Sequence, residues 1–226
     1  MTAPEGPLDP LPDRRSAGER LAARLEVYRD RDPVVLALPR GGVPVGFEIA
    51  RRLRAPLDVL IVRKVGAPGN PEYGLGAVVE GGSRFLDEPR VRAMGLTVRD
   101  LLPTIARELA EVDRRAHAYR ANRPPVDVRG RTVILVDDGV ATGGTVIAAL
   151  RAVRAREPLR RVLALGVAPP DTVDALRSEV DDLVVLLTPS VFFAVGEWYH
   201  QFSQVSDAEV EQLLDRARTL TAEVPR

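Results

Sequence analysis

The sequence predicts one α/β domain in which helices cover both faces of a parallel sheet. Five short apolar runs rich in β-branched residues begin near residues 34, 57, 133, 161 and 183. Helical patterns separate most of them, an alternation typical of parallel sheets. Two of the runs end in glycine-containing loops that begin a helix, and ligands of open α/β sheets bind at the carboxyl ends of strands.

Composition argues against several kinds of function. Acidic and basic residues balance at 32 each, so the charge gives no indication of a nucleic-acid or membrane surface. There is no cysteine to form a disulfide or a catalytic thiol, and the two histidines do not make a metal cluster. No apolar run approaches ~20 residues, and no apolar signal segment opens the sequence. We therefore expect a cytoplasmic protein that binds neither nucleic acid nor membrane.

The chain divides into three predicted parts. Residues 1–13 hold four prolines and little apolar content, which predicts a disordered lead-in. Residues 14–187 form the predicted core, opening with an amphipathic helix from Ser16 to about Tyr28 and carrying a helical insertion at about 87–125. Residues 188–226 are assigned to a hood segment and a C-terminal helix from Asp207 to about Ala222.

The first strand–loop–helix unit carries a glycine pair. The apolar run Val34–Leu38 leads through Pro39 into Arg40-Gly41-Gly42, and a helix is predicted from about Pro44 to Arg54. Arg40 stands where a cation can face an anionic group. The alternative is a tight turn with a solvated arginine.

The chain's single lysine follows the second run. Leu57–Val62 is the predicted strand, Arg63 and Lys64 come next, and Val65–Gly76 contains enough glycine and proline to predict a mobile loop. One lysine among 31 arginines indicates a position that arginine would not serve, whereas the alternative is an ordinary surface loop. Further on, Ala77–Glu80 and Arg84–Leu86 are predicted to form a hairpin, and Asp87–Met94 and Val98–Arg120 to form helices.

The stretch 132–145 is the most informative part of the sequence. A buried strand, Val133–Val136, ends at the adjacent carboxylates Asp137 and Asp138, and a helix begins in Thr142-Gly143-Gly144-Thr145. Free N–H groups at a helix start favour a phosphate, glycines let it approach, and threonine hydroxyls donate to it or cap the helix. The carboxylates would then face sugar hydroxyls or Mg²⁺. The alternative is a strand–loop–helix corner with ordinary caps.

This stretch resembles the signature of the type I phosphoribosyltransferases for phosphoribosyl pyrophosphate (PRPP). The resemblance covers an apolar strand, two acids and a Thr-Gly-Gly-Thr run. It implies that Asp137 and Asp138 hold the ribose hydroxyls. It also implies Mg²⁺ bound mainly through PRPP, with no direct metal ligand assigned. The residues implied to hold the 5′-phosphate are Ala141, Thr142, Gly143, Gly144 and Thr145.

The resemblance extends to the other two loops. It implies that Arg40, Gly41, Gly42 and Lys64 contact pyrophosphate, with Pro39–Arg40 as a candidate cis peptide bond. The loop after Lys64 would close over PRPP. Asp137, Asp138 and Lys64 are the catalytic candidates.

Aromatic residues concentrate near the end of the chain. Five of the ten aromatics fall between residues 192 and 202. As a hood they would carry a flat acceptor, since stacking on a base contributes roughly 1–3 kcal/mol; the alternative is a small satellite core. The candidates for contact with an acceptor are Phe192, Phe193, Trp198 and Tyr199.

The implied reaction moves a phosphoribosyl group from PRPP to a nitrogenous, aromatic acceptor and releases pyrophosphate. Ala141 stands where hypoxanthine/guanine members carry an acid, so the run from Ala141 to Thr145 is more similar to adenine or orotate members. The chain as a whole is most similar to a bacterial branch of phosphoribosyltransferase-domain proteins, which does not fix the acceptor. The alternative is a non-catalytic regulator that senses PRPP or a nucleotide. A homodimer is expected, because family members are commonly dimers.

Overall fold

Two sheets make up the strand structure of the computed structural model, which describes residues 8–222 except the side chains of residues 72, 221 and 222. The larger sheet has five parallel strands in the order β2-β1-β6-β7-β8, and the smaller has three antiparallel strands in the order β3-β4-β5. The parallel α/β architecture predicted from the sequence is confirmed. The strands are β1 Pro33–Ala37, β2 Leu57–Val59, β3 Val62–Ala67, β4 Asn70–Val79, β5 Ser83–Leu86, β6 Thr132–Gly139, β7 Arg160–Val167 and β8 Asp182–Leu187.

The helices lie close to their predicted positions. The first begins at Arg14, where the Asp13 side chain caps it by accepting a hydrogen bond from the Ser16 N–H at 2.6 Å. It ends at Arg24 rather than near Tyr28, and a 3₁₀ turn follows. No helix within the described residues is long and apolar enough to cross a membrane. The helices are α1 Arg14–Arg24, α2 Gly42–Leu53, α3 Glu88–Ala93, α4 Val98–Arg120, α5 Gly144–Arg154, α6 Pro170–Arg177 and α7 Asp207–Ala222.

The strands of the parallel sheet are apolar on both faces because helices cover both. In β6, Ile134 and Val136 belong to the cluster formed with α1, α2, α4 and α7. Val133 and Leu135 belong to the cluster on the opposite face with α5 and α6. This alternation explains continuous apolar runs, since strands buried on both faces do not alternate in polarity.

The predicted mobile loop after Lys64 is a β-hairpin in the structure. Strand β2 ends at Val59. Strands β3 and β4 then pair antiparallel, with Val65 facing Gly76, so that the predicted loop is part of the sheet. The expectation of a six-residue strand followed by a loop is therefore wrong. The glycines that suggested a loop instead permit close pairing, because a Cβ on Gly66 would overlap the backbone of Pro71. The predicted β4–β5 hairpin is confirmed.

Part of the predicted disordered lead-in is ordered. Residues 1–7 lie outside the described residues, but Leu11 is fully buried and forms a bridge with Tyr199. The Leu11 N–H donates to the Trp198 carbonyl at 2.8 Å, and the His200 N–H donates to the Leu11 carbonyl at 2.9 Å. Prolines suggested disorder here, yet the pairing of Leu11 with the segment around Tyr199, and a hydrogen bond from the Gln201 N–H to the Pro12 carbonyl at 2.9 Å, hold this segment in place.

A buried arginine joins the insertion to both sheets. Arg120, at the end of α4, donates from Nε to the Asp58 carboxylate of β2 at 2.8 Å and pairs with Glu80, which directly follows β4. Its Nη2 also donates to the Val59 carbonyl at 2.7 Å. We call Arg120, Asp58 and Glu80 the arginine clasp.

Candidate functional site

Two carboxylates end the central strand. Strand β6 continues through Asp137 and Asp138 to Gly139, because its pairing with β7 runs to Gly139↔Val167. The Asp138 N–H donates to the Asp137 carboxylate at 2.9 Å, and Asp138 is 7% exposed. We call these two residues the acidic pair.

The loop after β1 packs directly on the acidic pair. A Cβ on Gly41 would overlap the Asp138 carboxylate, and one on Gly42 would lie 2.6 Å from the Val136 carbonyl oxygen. Only glycine allows this approach at both positions. The peptide bond between Pro39 and Arg40 is cis, as predicted.

An arginine from the first helix reaches the acidic pair. The Arg14 Nε donates to Asp138 Oδ2 at 2.7 Å, and its Nη1 donates to the Ser203 carbonyl at 2.7 Å. The guanidinium carbon also lies 3.8 Å from the centre of the Phe202 ring. The sequence analysis did not identify Arg14, because no local pattern links it to a carboxylate 124 residues away.

The two acids differ in their partners. Asp138 receives the Arg14 guanidinium, whereas Asp137 accepts the backbone hydrogen bond from Asp138. Asp137 is half-buried, and its Oδ1 lies 3.3 Å from a Cβ placed on Gly42. Burial first, and the adjacent Asp138 carboxylate second, raise the pKa of the Asp137 carboxyl well above its ordinary value. A ligand with hydroxyl donors or a cation would favour the charged form.

The predicted phosphate loop, residues 141–145, forms the start of α5. Gly143 is the N-cap with φ +76°, and no side chain caps the helix. Gly144, Thr142 and Thr145 are exposed, and nothing lies within 4 Å of a Cβ placed on Gly144. The Ala141 carbonyl accepts a hydrogen bond from the Thr172 hydroxyl at 2.6 Å, which fixes the loop on α6. The threonines are thus not used as caps.

The two predicted cations of the pyrophosphate site lie in different settings. Arg40 borders the acidic pair, and its Nη1 is 3.8 Å from Asp207 Oδ1 at the start of α7. The Tyr119 hydroxyl donates to the same oxygen at 2.5 Å. Lys64 lies exposed on β3, with its Cε 3.4 Å from a Cβ placed on Gly74 of β4. The structure does not bring Lys64 to the Asp138 cavity described below.

The aromatic residues of the hood, which we define as residues 188–206, separate into two groups. Tyr199 is 5% exposed, and Phe192 and Trp198 pack with it, Leu11 and Val167 in a satellite cluster. Phe193 is 81% exposed. The alternative of a satellite core therefore describes three of the four predicted acceptor contacts.

Tyr199 connects the hood to the acidic pair. Its hydroxyl donates to the Asp138 carbonyl at 2.5 Å, and its ring stacks on Phe202 at 5.2 Å between centroids. A Cβ on Gly166 of β7 would overlap the Tyr199 hydroxyl, so that glycine makes room for the contact. Burial raises the pKa of the Tyr199 hydroxyl, which keeps it a donor.

A cavity of about 330 Å³ opens between Asp138 and the hood, and Asp137 is not part of its lining. Its position at the carboxyl ends of β1 and β6 is where open α/β sheets bind ligands. It is larger than a side chain would fill and is at the lower end of the range for small-molecule sites. It is lined by Arg14, Arg40, Gly41, Asp138, Phe202, Ser203, Gln204 and Val205.

Comparison with known proteins shows the family of the chain. The family model described as "Phosphoribosyl transferase domain" matches residues 10–199. The chain belongs to this phosphoribosyl transferase family. The resemblance to type I phosphoribosyltransferases predicted from residues 133–145 is therefore confirmed. The match includes Leu11 and Arg14.

Three relatives support the family assignment. Two Mycobacterium tuberculosis proteins, "Putative phosphoribosyl transferase Rv0571c" of strain H37Rv and its counterpart MT0597 of strain CDC 1551, are each 45% identical over 211 residues. That alignment covers 93% of this chain and 48% of either relative, so the chain spans about half of their length. The solved structure of TT1426 from Thermus thermophilus is 46% identical, covers 91% of this chain and 97% of that one, and superimposes with a TM-score of 0.79.

Proposed function

We propose that the chain transfers a phosphoribosyl group from PRPP to a nitrogenous acceptor and releases pyrophosphate. One observation carries the proposal: the loop containing Arg40 and two glycines packs directly on the acidic pair, at the end of the strand that leads into the uncapped start of α5. Sites for two phosphate groups would then flank a site for the sugar between them. The reacting carbon would be held between a cationic loop and two carboxylates.

Asp137 and Asp138 are proposed to orient the ribose. Their oxygens would accept hydrogen bonds from the sugar hydroxyls, and their charge would favour the positive ring that develops as pyrophosphate leaves. Positioning and electrostatics account for most of such a reaction, so no nucleophilic side chain is needed. The raised pKa of Asp137 supports this role, because hydroxyl donors would stabilise a carboxylate that is costly in this buried position.

The phosphate groups are proposed to lie on the two loops. Residues 141–145 would bind the 5′-phosphate through backbone N–H groups at the start of α5. Arg40, with the backbone at Gly41 and Gly42, would bind pyrophosphate, and Lys64 would join it when the β3–β4 hairpin approaches. Arg40 and Lys64 would thus be the two cations that offset the negative charge of the leaving pyrophosphate.

The residues present fit Mg²⁺. Mg²⁺ is usually held by one or two carboxylates together with substrate phosphates, and here it would be held mainly by the phosphates of PRPP, because both acids are proposed to face the ribose and Arg14 already pairs with Asp138. Among the described residues there is no cluster of three or more ligating side chains that would hold a metal alone. When bound, Mg²⁺ would neutralise charge on the pyrophosphate.

Thermal unfolding with and without PRPP and Mg²⁺ tests the sugar site. A ligand at ~100 times its Kd should stabilise the fold by about 2.7 kcal/mol. In a chain of this size, the unfolding temperature rises by roughly 2–4 °C for each kcal/mol of stabilisation. We expect the shift in wild type and its loss in the Asp137→Asn/Asp138→Asn double variant. A shift that survives in the double variant would contradict the ribose assignment.

Release of pyrophosphate distinguishes the two functions that the sequence left open. An acceptor screen that yields pyrophosphate supports the transferase. Stabilisation by PRPP without pyrophosphate from any nitrogenous acceptor would favour the regulator. No stabilisation by PRPP would remove both hypotheses and leave another phosphate ligand to be sought.

A further inference from the structure

Three side chains form a continuous stack that ends at the cavity. The Tyr199 and Phe202 rings lie 5.2 Å apart with 30° between their planes. The Arg14 guanidinium covers the Phe202 ring at 3.8 Å. Phe202 is 37% exposed and lines the cavity, and part of its ring is covered by the guanidinium that it supports.

Arg14 is held rigidly in this position. Its Nε and Nη1 donate to Asp138 and to the Ser203 carbonyl, both at 2.7 Å, and its side chain is 12% exposed. Gly196 packs closely against the Phe202 ring, since a Cβ placed on this glycine would lie 2.9 Å from a ring carbon. Arg14 nevertheless lines the cavity, together with Asp138 and Gly41.

We propose that the guanidinium of Arg14 is the platform on which the planar ring of the acceptor stacks. A guanidinium plane stacks on aromatic faces and on nucleobases, which a lysine ammonium cannot do in the same way. The proposal deepens the proposed function and rests on it. It assigns to the first helix a role that the sequence analysis expected of the aromatic residues of the hood.

Asp138 connects the platform to the sugar. Its Oδ2 receives Arg14, and a carboxylate has further acceptor positions free for a ribose hydroxyl. Asp138 would thereby fix the position of both the sugar and the acceptor plane. This arrangement would hold the acceptor nitrogen against the reacting carbon. Arg14 is thus a positioning residue that also determines specificity.

The test compares a planar probe with a non-planar one, and the substitution Arg14→Lys with the same substitution at the adjacent Arg15. Orotate and adenine are planar probes, and dihydroorotate is the non-planar counterpart of orotate. Binding or pyrophosphate release is measured with PRPP and Mg²⁺ at saturation in wild type, Arg14→Lys and Arg15→Lys. Arg15 is the adjacent, 72% exposed arginine on the same helix and serves as the control. Phe202→Leu, which removes the support beneath the guanidinium, is the second variant.

We expect at least one planar probe to bind wild type about tenfold or more tightly than dihydroorotate, the size expected for one stacking contact. Arg14→Lys and Phe202→Leu should lose about that factor, while Arg15→Lys keeps it. The PRPP-dependent rise in unfolding temperature should persist in all of them. Lysine retains the charge facing Asp138. If Arg14 acted only through its charge, Arg14→Lys would therefore bind the planar probe as tightly as wild type.

Two results would overturn the platform while the proposed function stands. One is equal binding of planar and non-planar probes by a wild type that responds to PRPP. The other is unaltered probe affinity in Arg14→Lys. A wild type that does not respond to PRPP would overturn the proposed function and, with it, the inference.

Discussion

At the scale of single residues, Asp137 gives the unliganded protein an unusual dependence on pH. Its raised pKa means that the folded chain keeps the proton to a higher pH than the unfolded chain does. The stability from this group is fully present below an ordinary carboxyl pKa of about 3.9. It is lost as the pH rises through the folded-state pKa. The unliganded protein should therefore be less stable at neutral pH than a variant without this carboxylate.

Asp137→Asn should raise the unfolding temperature of the unliganded protein at neutral pH, while abolishing stabilisation by PRPP. The amide oxygen can still accept the Asp138 N–H, so the strand end is preserved. Calorimetry from about pH 4 to about pH 8 would measure the difference in unfolding temperature between Asp137→Asn and wild type. This difference should grow as the pH rises. Asp174→Asn, at an exposed position on α6, is the control. Parallel pH profiles for wild type and Asp137→Asn would contradict the prediction.

Tyr199→Phe tests a single buried hydrogen bond. Removing the hydroxyl leaves the Asp138 carbonyl without this donor, which should cost about 1–3 kcal/mol. Denaturant unfolding would measure the loss. Tyr73→Phe, at an exposed tyrosine of β4, should stay within about 0.5 kcal/mol of wild type. Equal stability of the two variants would show that the bond contributes nothing.

At the scale of elements, the β3–β4 hairpin defines how Lys64 can act. The lysine is on a paired strand, with its aliphatic chain beside Gly74, rather than in an irregular loop. Any approach to the acidic pair would then involve the hairpin as a unit. Closure of this kind would exclude water from the sugar carbon.

Lys64→Ala should raise the KM for PRPP by about tenfold or more, the size expected for a hydrogen bond to a charged group. The KM for the acceptor should change much less, because the proposed contact is to pyrophosphate alone. Steady-state kinetics on both substrates would measure the two effects. Arg84→Ala, at an exposed position on neighbouring β5, is the control. Equal losses for both substrates would argue against a pyrophosphate contact.

At the scale of the whole molecule, the arginine clasp holds the insertion and both sheets together. Arg120 is 5% exposed at its side chain, and Asp58 is 6% exposed. Arg120→Met would leave the buried Asp58 and the half-buried Glu80 carboxylates without their counter-charge, which should cost about 3–5 kcal/mol. Denaturant unfolding would measure it, with Arg123→Met at a 55% exposed position as the control. A loss as small as that of the control would mean that the clasp does not stabilise the fold.

The parts of the molecule that the sequence predicts are those that local patterns encode. The run Val133–Val136 is apolar because both faces of its strand are covered, so its burial follows from composition. The cis bond at Pro39–Arg40 and the contact of its loop with the site followed from a resemblance, and the structure has the same bond.

The parts that the sequence did not predict depend on distant pairs. Arg14 meets Asp138, and Leu11 meets Tyr199, across most of the chain, and no periodicity marks such partners. The β3–β4 hairpin was missed for a different reason. Gly66 serves close strand pairing, whereas the same residue type in a proline-rich stretch usually indicates a loop.

The pairing of Leu11 with the hood gives the native protein a built-in optical reporter. The chain contains a single tryptophan, Trp198, and it lies half-buried in the hood where its carbonyl receives the Leu11 N–H. Its emission therefore comes from the hood alone, while circular dichroism averages over all helices and strands. Where the emission changes at a lower temperature than the circular dichroism, the hood has detached before the sheet has melted. A shift in emission when acceptor is added would likewise report a change at the hood without any label.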